Sequence, residues 1–218
     1  FRYQILDTNS YIEEIWAYGY WAIDRCARII KEGASFKEVT KGDLTEVEGC
    51  IAQAYAIKAL CSFYLTNMFG LPYSEANKTT LGIVNVTEPV PAYSQVSRVS
   101  VEQNYSLILD DITKAKEYYA KEGVENVGKQ YMNTAAVAAL EARVKLYMKN
   151  YEGAITAAQE AITLSGGTIV STKEDYKNMY TTLAVSTEDI FFIAKAEDDY
   201  LSANALNTLW NKYGLSIN

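Results

Sequence analysis

Histidine is absent from the 218 residues, which removes the usual general base near neutral pH and the commonest protein metal ligand together. Cysteine is scarce: Cys26, Cys50 and Cys61 make an odd set with no C-x-x-C pair. Each falls within an apolar helical pattern, which argues against a disulfide framework and reads them as small buried hydrophobes. Positive charge is in deficit, with 20 Lys and Arg against 27 Asp and Glu, a formal net charge of -7. Without clustered cations a nucleic-acid partner is not expected. No apolar run reaches the ~18 residues needed to span a bilayer. Proline occurs only at Pro72, Pro89 and Pro91, so the rest of the chain is free to form long helices.

What is present suits a globular protein, with 49% hydrophobic and 22% charged residues. The length allows one domain or two small ones. Tyrosine is abundant, 18 in all, and most are expected to line helix interfaces. Ser10 and Glu13 form a capping-box pattern ahead of a stripe of Ile12, Trp16, Gly19, Ile23, Ala27 and Ile30, which predicts a helix ending at Gly33. Asp43 and Glu46 repeat the cap logic. From Leu44 to Phe69 apolar residues nearly encircle the helix, with Lys58 the only charge between Glu48 and Glu75; such a helix belongs in the middle of a bundle.

Gly70 opens a long loop, 70–97, that holds every proline and no helical period. A loop this long within a compact domain is usually functional or disordered. It carries two Asn-x-Thr sequons, at Asn77 and Asn85. Ser100 and Gln103 cap the next helix, whose stripe is Val101, Tyr105, Ile108, Ile112, Ala115 and Tyr119, with Asp110 and Lys114 expected to pair on its wet side. It stops by Gly123.

Asn133 to Leu164 reads as two helices folded back on each other. Ala136, Leu140, Val144 and Tyr147 share a face of the first arm, which Asn133 or Thr134 can cap. Lys149-Asn150 marks the reversal, with Asn150 as the residue that tolerates a left-handed turn. Ala154, Ala158 and Ala161, flanked by Ile155 and Ile162, pattern the second arm, which Gly166-Gly167 ends. Small residues on one face let two backbones approach closely. The pattern is close to the second half of a tetratricopeptide repeat, with Lys145 standing where such repeats carry a large apolar residue. One hairpin cannot bury its own face, so others must stack on it. Beyond it the tail, 165–218, is less regular, with Thr168 to Val170 and Asp189 to Ala194 as short strands.

Three segments, in this order, resemble the SusD/RagB family of outer-membrane nutrient-binding lipoproteins. Ala52 to Glu75 is similar to the family's Ala-rich helix running into a Phe-Gly-x-Pro turn, here Phe69 to Pro72. Leu81 to Ile83 and the run from Arg98 to Tyr119 follow. Tyr131 to Ile162 completes the set, with Ala-Arg-Val-x-Leu-Tyr at Ala142 to Tyr147. Trp16, Tyr20 and Ile23, and Glu188 to Ile193, are weaker echoes. Departures are Ala27 where Asn is frequent, Lys58 where Arg is common, and the lack of the lipidated N-terminal Cys and of a long C-terminal part that supplies some of the family's ligand site. The chain begins at Phe1, which reads as a processed or incomplete piece, with any targeting signal outside it.

The resemblance implies a mainly all-α fold of tetratricopeptide-like hairpins, a single domain over 1–218. It implies a surface-exposed outer-membrane lipoprotein, held to the membrane only by a lipid anchor outside this chain. Such a protein captures an oligo- or polysaccharide and works with a TonB-dependent transporter of the SusC type. No cofactor is implied.

Sugar capture requires flat aromatic faces beside polar groups in a loop-built depression. On that ground the ligand candidates are Tyr73 and Tyr93 at the two ends of the loop, with Asn77 and Asn85 as hydrogen-bonding neighbours. Tyr200 and Trp210 are further candidates. Each tyrosine can instead pin the loop to the bundle. Lys58 and Arg98 could meet an acidic sugar, although a cation on an apolar helix more commonly snorkels or pairs with a carboxylate. The run Glu197, Asp198 and Asp199 lacks the Gly-centred spacing of a calcium loop and reads as a solvated turn, so no metal is assigned. Asp110 and Asp111 point about 100° apart on their helix and cannot flank one glycosidic bond. With no nucleophile motif beside them, a binding protein rather than an enzyme is expected. The competing readings are a helical-repeat scaffold that binds a protein partner and an all-α carbohydrate-active enzyme.

Overall fold

The computed structural model describes residues 9–181 and 185–194. These form α1 (Ser10–Val39), α2 (Thr45–Phe69), α3 (Val101–Tyr119), α4 (Thr134–Tyr147), α5 (Tyr151–Ser165) and α6 (Lys173–Thr181). Among the described residues there is no strand, only an isolated antiparallel bridge between Leu81 and Ser100. The first helix is capped by Asn9, whose side chain accepts from Tyr11 and Ile12 N–H, one residue earlier than the Ser10 box expected. It also runs through Gly33 to Val39. Gly33 is a packing residue rather than a stop, because a Cβ there would meet the Ile51 side chain at 2.9 Å, and Gly19 faces Leu65 in the same way. Both glycines bring the α1 backbone onto α2.

The second helix packs between α1 and α3. It buries Ile51, Ala52, Ala56, Ala59 and Phe63, as its all-round apolar pattern requires. Phe63 belongs with Tyr105, Ile108, Ile112, Val137, Leu140 and Val144 to the main core. Full burial of one such side chain contributes roughly 1.5–3 kcal/mol. A smaller cluster of Ile23, Ala27, Leu65, Ile83 and Val86 joins α1, α2 and the loop after α2, with Trp16, Tyr20 and Phe69 packed against it.

Ser100 and Gln103 complete the capping box of α3. On its outer side Lys114 pairs with Glu117 at 2.7 Å rather than with Asp110. The α4–α5 hairpin is capped by Asn133, which accepts from Ala136 N–H at 2.8 Å. Its reversal uses Lys149 in the left-handed region (φ 62°), whereas Asn150 caps α5 through Gly153 N–H. The side-chain carboxamide is worth more as a cap than as a tolerated strain. The buried face of α5 is Ala154, Ala157 and Ala161, with Ala157 in the place expected for Ala158. Ile155 and Ile162 lie exposed. Lys145, the departure from the repeat pattern, pairs with Glu141 of its own helix. Lys116 of α3 reaches both Glu141 and Glu160, tying three helices together.

The two expected tail strands do not form. Val170 N–H is taken by the Glu188 carboxylate and Phe192 N–H by the Lys129 carbonyl, so a side chain and a loop carbonyl take the donors that a ladder would use. Instead the tail contains α6, which Thr172 caps by accepting from Asp175 N–H at 3.1 Å. Of the cysteines, all free, Cys26 is buried and Cys61 half-buried, but Cys50 is exposed. Burial pushes the Cys26 thiol up to about 12. Tyr105 and Tyr119 are buried, while Tyr11, Tyr18, Tyr64, Tyr93, Tyr151 and others are exposed, so interface packing accounts for only part of the tyrosine content.

Candidate functional site

The long loop is held nearly residue by residue between 82 and 86. Gly82 donates to Val99 O at 2.8 Å and Val99 N–H to Ile83 O at 3.0 Å, closing the loop onto its own exit. The buried Asn104 amide then reads the backbone, accepting from Ile83 N–H at 2.8 Å and donating to Ile83 O and to the Asn85 side chain. Only glycine fits at 82, because a Cβ would lie 1.9 Å from Asn104 Oδ1. From α1, the Tyr20 hydroxyl accepts from Val84 N–H at 2.8 Å and donates to Val84 O at 3.0 Å. Burial pushes this phenol up to about 12.

From α2, Lys58 Nζ donates to Val86 O at 3.2 Å and pairs with Asp111 at 2.9 Å. Both side chains are almost fully buried. Lys58 therefore pairs with a carboxylate instead of facing a ligand. Asp111 Oδ2 has no hydrogen-bond partner among the described residues, and its burial raises the carboxyl from 3.8 to about 6, outweighing the lowering by Lys58. Arg98 lies over the Trp16 ring, 5.2 Å from its centroid, and is likewise occupied.

This anchoring leaves a groove of about 350 Å³ between α1 and the loop. On the helix side Trp16, Tyr20, Asp24 and Arg28 recur every fourth residue and so share a face, with Trp21 beside them. The loop side is Val84, Val86, Val90 and Val96. Trp21 is 58% exposed and forms a T-shaped pair with Tyr18, 5.2 Å between ring centroids. At the rim Arg28 Nε donates to Asp24 at 2.7 Å, which raises the guanidinium further above its ordinary value. The site offers one exposed indole, one charged edge and one aliphatic wall.

None of the four loop residues read as ligand candidates lines this groove, and three of them hold the loop. Tyr73 packs edge-on against Tyr105, 4.9 Å between centroids. Asn77 donates to Pro72 O at 3.0 Å, and Asn85 bonds Gln103 O and Asn104. Tyr93 alone has a fully exposed ring, on a backbone at φ 63°. Tyr200, Trp210 and the acidic run at Glu197 lie outside the described residues. Trp21, Asp24, Arg28 and the valines were not singled out from the sequence. The period of four from Trp16 to Arg28 was a usable signal for the helix wall, but nothing local marks the valines as its partner. No group of three metal-ligating side chains occurs among the described residues, and no described helix is long and apolar enough to cross a membrane.

Stacked helical pairs carrying an ordered loop over one helix define an all-α, tetratricopeptide-like binding scaffold. The chain belongs to the SusD-like family: residues 2–146 match the family model described as starch-binding, associating with the outer membrane. Among solved structures, a SusD superfamily protein from Bacteroides thetaiotaomicron is 25% identical, with a TM-score of 0.77 over 89% of this chain and 42% of that one. A SusD-like carbohydrate binding protein from Bacteroides vulgatus is 17% identical, with a TM-score of 0.71 over 85% and 37%. Surface glycan-binding protein A from Bacteroides fluxus is 21% identical, with a TM-score of 0.57 over 77% and 32%. The chain thus spans less than half the length of these relatives. No curated protein matches the sequence.

Proposed function

We propose that the protein is the glycan-capturing component of an outer-membrane polysaccharide uptake system, working with a TonB-dependent transporter of the SusC type. In this reading it is a surface-exposed lipoprotein, attached through a lipid outside this chain, and residues 1–218 form one helical-repeat domain. Family membership and the two carbohydrate-binding neighbours support it. The observation that carries it is the groove, where the exposed indole of Trp21 stands beside a fixed Asp24–Arg28 pair. Pyranose rings present apolar C–H faces edged by hydroxyls, and this surface complements both. Tyr93, with its free ring, extends the capture surface. Tyr73, Asn77 and Asn85 serve it by shaping the loop.

The protein acts by binding rather than by hydrolysis. Asp24 is the only carboxylate among the described residues that line the groove, and a glycosidase generally uses two. Asp111 is committed to Lys58. A second reading, a scaffold for a protein partner, draws support from the exposed Tyr151, Ile155 and Ile162 on α5, an apolar face suited to a further helical layer. Affinity electrophoresis against a panel of polysaccharides decides between them. Retardation by one polysaccharide class, weakened by Trp21→Ala and without released sugars, is the expected result. A folded chain that no glycan retards leaves the scaffold reading.

A further inference from the structure

From the chemistry of the groove's two walls we infer that it selects a sugar bearing a methyl group, such as a 6-deoxyhexose or an N-acetylhexosamine, over a fully hydroxylated hexose. This rests on the glycan-capture reading and specifies its ligand. The loop wall is four valine side chains, and where the loop is anchored its backbone polar groups are engaged within the protein. Val84 N–H and O are both bonded to Tyr20, and Val86 O accepts from Lys58. The Tyr20 hydroxyl is spent on the same contact, and Arg98 covers Trp16. A sugar hydroxyl turned onto these valine side chains loses its water to a surface that carries no donor or acceptor, an unfavourable exchange. A methyl group in the same place is buried against Val84, Val90 and Val96. The opposite edge is polar, where Asp24 and Arg28 meet ring hydroxyls while Trp21 takes the C–H face. The ligand must therefore be amphipathic across its ring: hydroxyls on one edge, a methyl on the other.

Saturation-transfer NMR on the whole chain tests this with the methyl glycosides of fucose, N-acetylglucosamine, galactose and glucose, beside the polysaccharide panel. The expected result is about tenfold tighter binding of a methyl-bearing sugar, with the strongest saturation on its methyl protons. The fucose and N-acetylglucosamine arms tell which substituent supplies that methyl. Trp21→Ala should weaken binding about tenfold. Val90→Thr, which keeps the shape and adds a hydroxyl, should bring the preference close to one. Equal affinity for both sugar types at a Trp21-dependent site overturns the selectivity and leaves glycan capture standing. So does polysaccharide binding that ignores Trp21→Ala, or a methyl preference that survives Val90→Thr. A chain with native circular dichroism that binds neither monosaccharides nor polysaccharides overturns both.

Discussion

Replacing Lys58 by methionine tests how the loop is held to the helices. The substitution keeps the aliphatic volume but leaves Asp111 buried, with one carboxylate oxygen already unpartnered. Breaking a buried ion pair in this way costs about 3–5 kcal/mol. Lys58→Met with Asp111→Leu removes both charges, and most of that cost should return. What remains is the Val86 carbonyl, deprived of its donor, about 1–2 kcal/mol. The carboxyl itself gives a second readout. Its pKa is raised in the folded protein from 3.8 to about 6, so the folded state binds the extra proton. The stabilisation from this group is complete below pH 3.8 and is lost as pH rises through about 6. At about 1.4 kcal/mol for each pH unit the loss amounts to about 3 kcal/mol. Urea denaturation of wild type and Asp111→Asn across pH 4 to 8 isolates it by difference. A Lys58→Met variant within 1 kcal/mol of wild type refutes the reasoning, as does a contribution from Asp111 that grows with pH.

Tyr20→Phe removes one hydroxyl and orphans two backbone groups of Val84. It should lower stability by about 1–3 kcal/mol in chemical denaturation and loosen the groove, so glycan affinity falls with it. Gly82→Ala forces the Asn104 amide off the loop. It should cost about 2–4 kcal/mol, seen as a drop in Tm. Tyr73→Ala should destabilise by about 1–3 kcal/mol through lost packing on Tyr105. Tyr93→Ala should stay within about 0.5 kcal/mol of wild type, and any effect on polysaccharide retardation then reports binding alone.

The helical hairpin, the α3 capping box and the central place of α2 were all legible, because each rests on a period of three to four residues or on a local cap. Gly33 was misread for a physical reason. A glycine that ends a helix and one that admits a neighbouring side chain look the same in sequence, and only Ile51 across the interface distinguishes them. The reversal at Lys149 is similar, since Asn150 suits both the turn and the cap and the fold uses it for the cap. The tail strands failed because an apolar run does not say whether a backbone partner exists. The helix at Lys173–Thr181 was missed although the Thr172 to Asp175 spacing was there to be read.

The candidate site was less legible. The loop 70–97 read as functional or disordered, and the ligand candidates, Tyr73, Tyr93, Asn77 and Asn85, were all sought within it. In the structure Tyr73 packs against Tyr105 at the edge of the core, and the groove proposed as the site is lined by Trp21 of α1. Sequence by itself determined that α1 to α5 are helical and that they must stack, because helix formation and amphipathic burial depend on residues a few positions apart. Tertiary structure alone decided that Lys58 meets Asp111 across 53 positions and that Tyr20 reaches Val84 across 64. Those contacts fix which loop carbons face α1, and no local pattern encodes a distance that only folding closes.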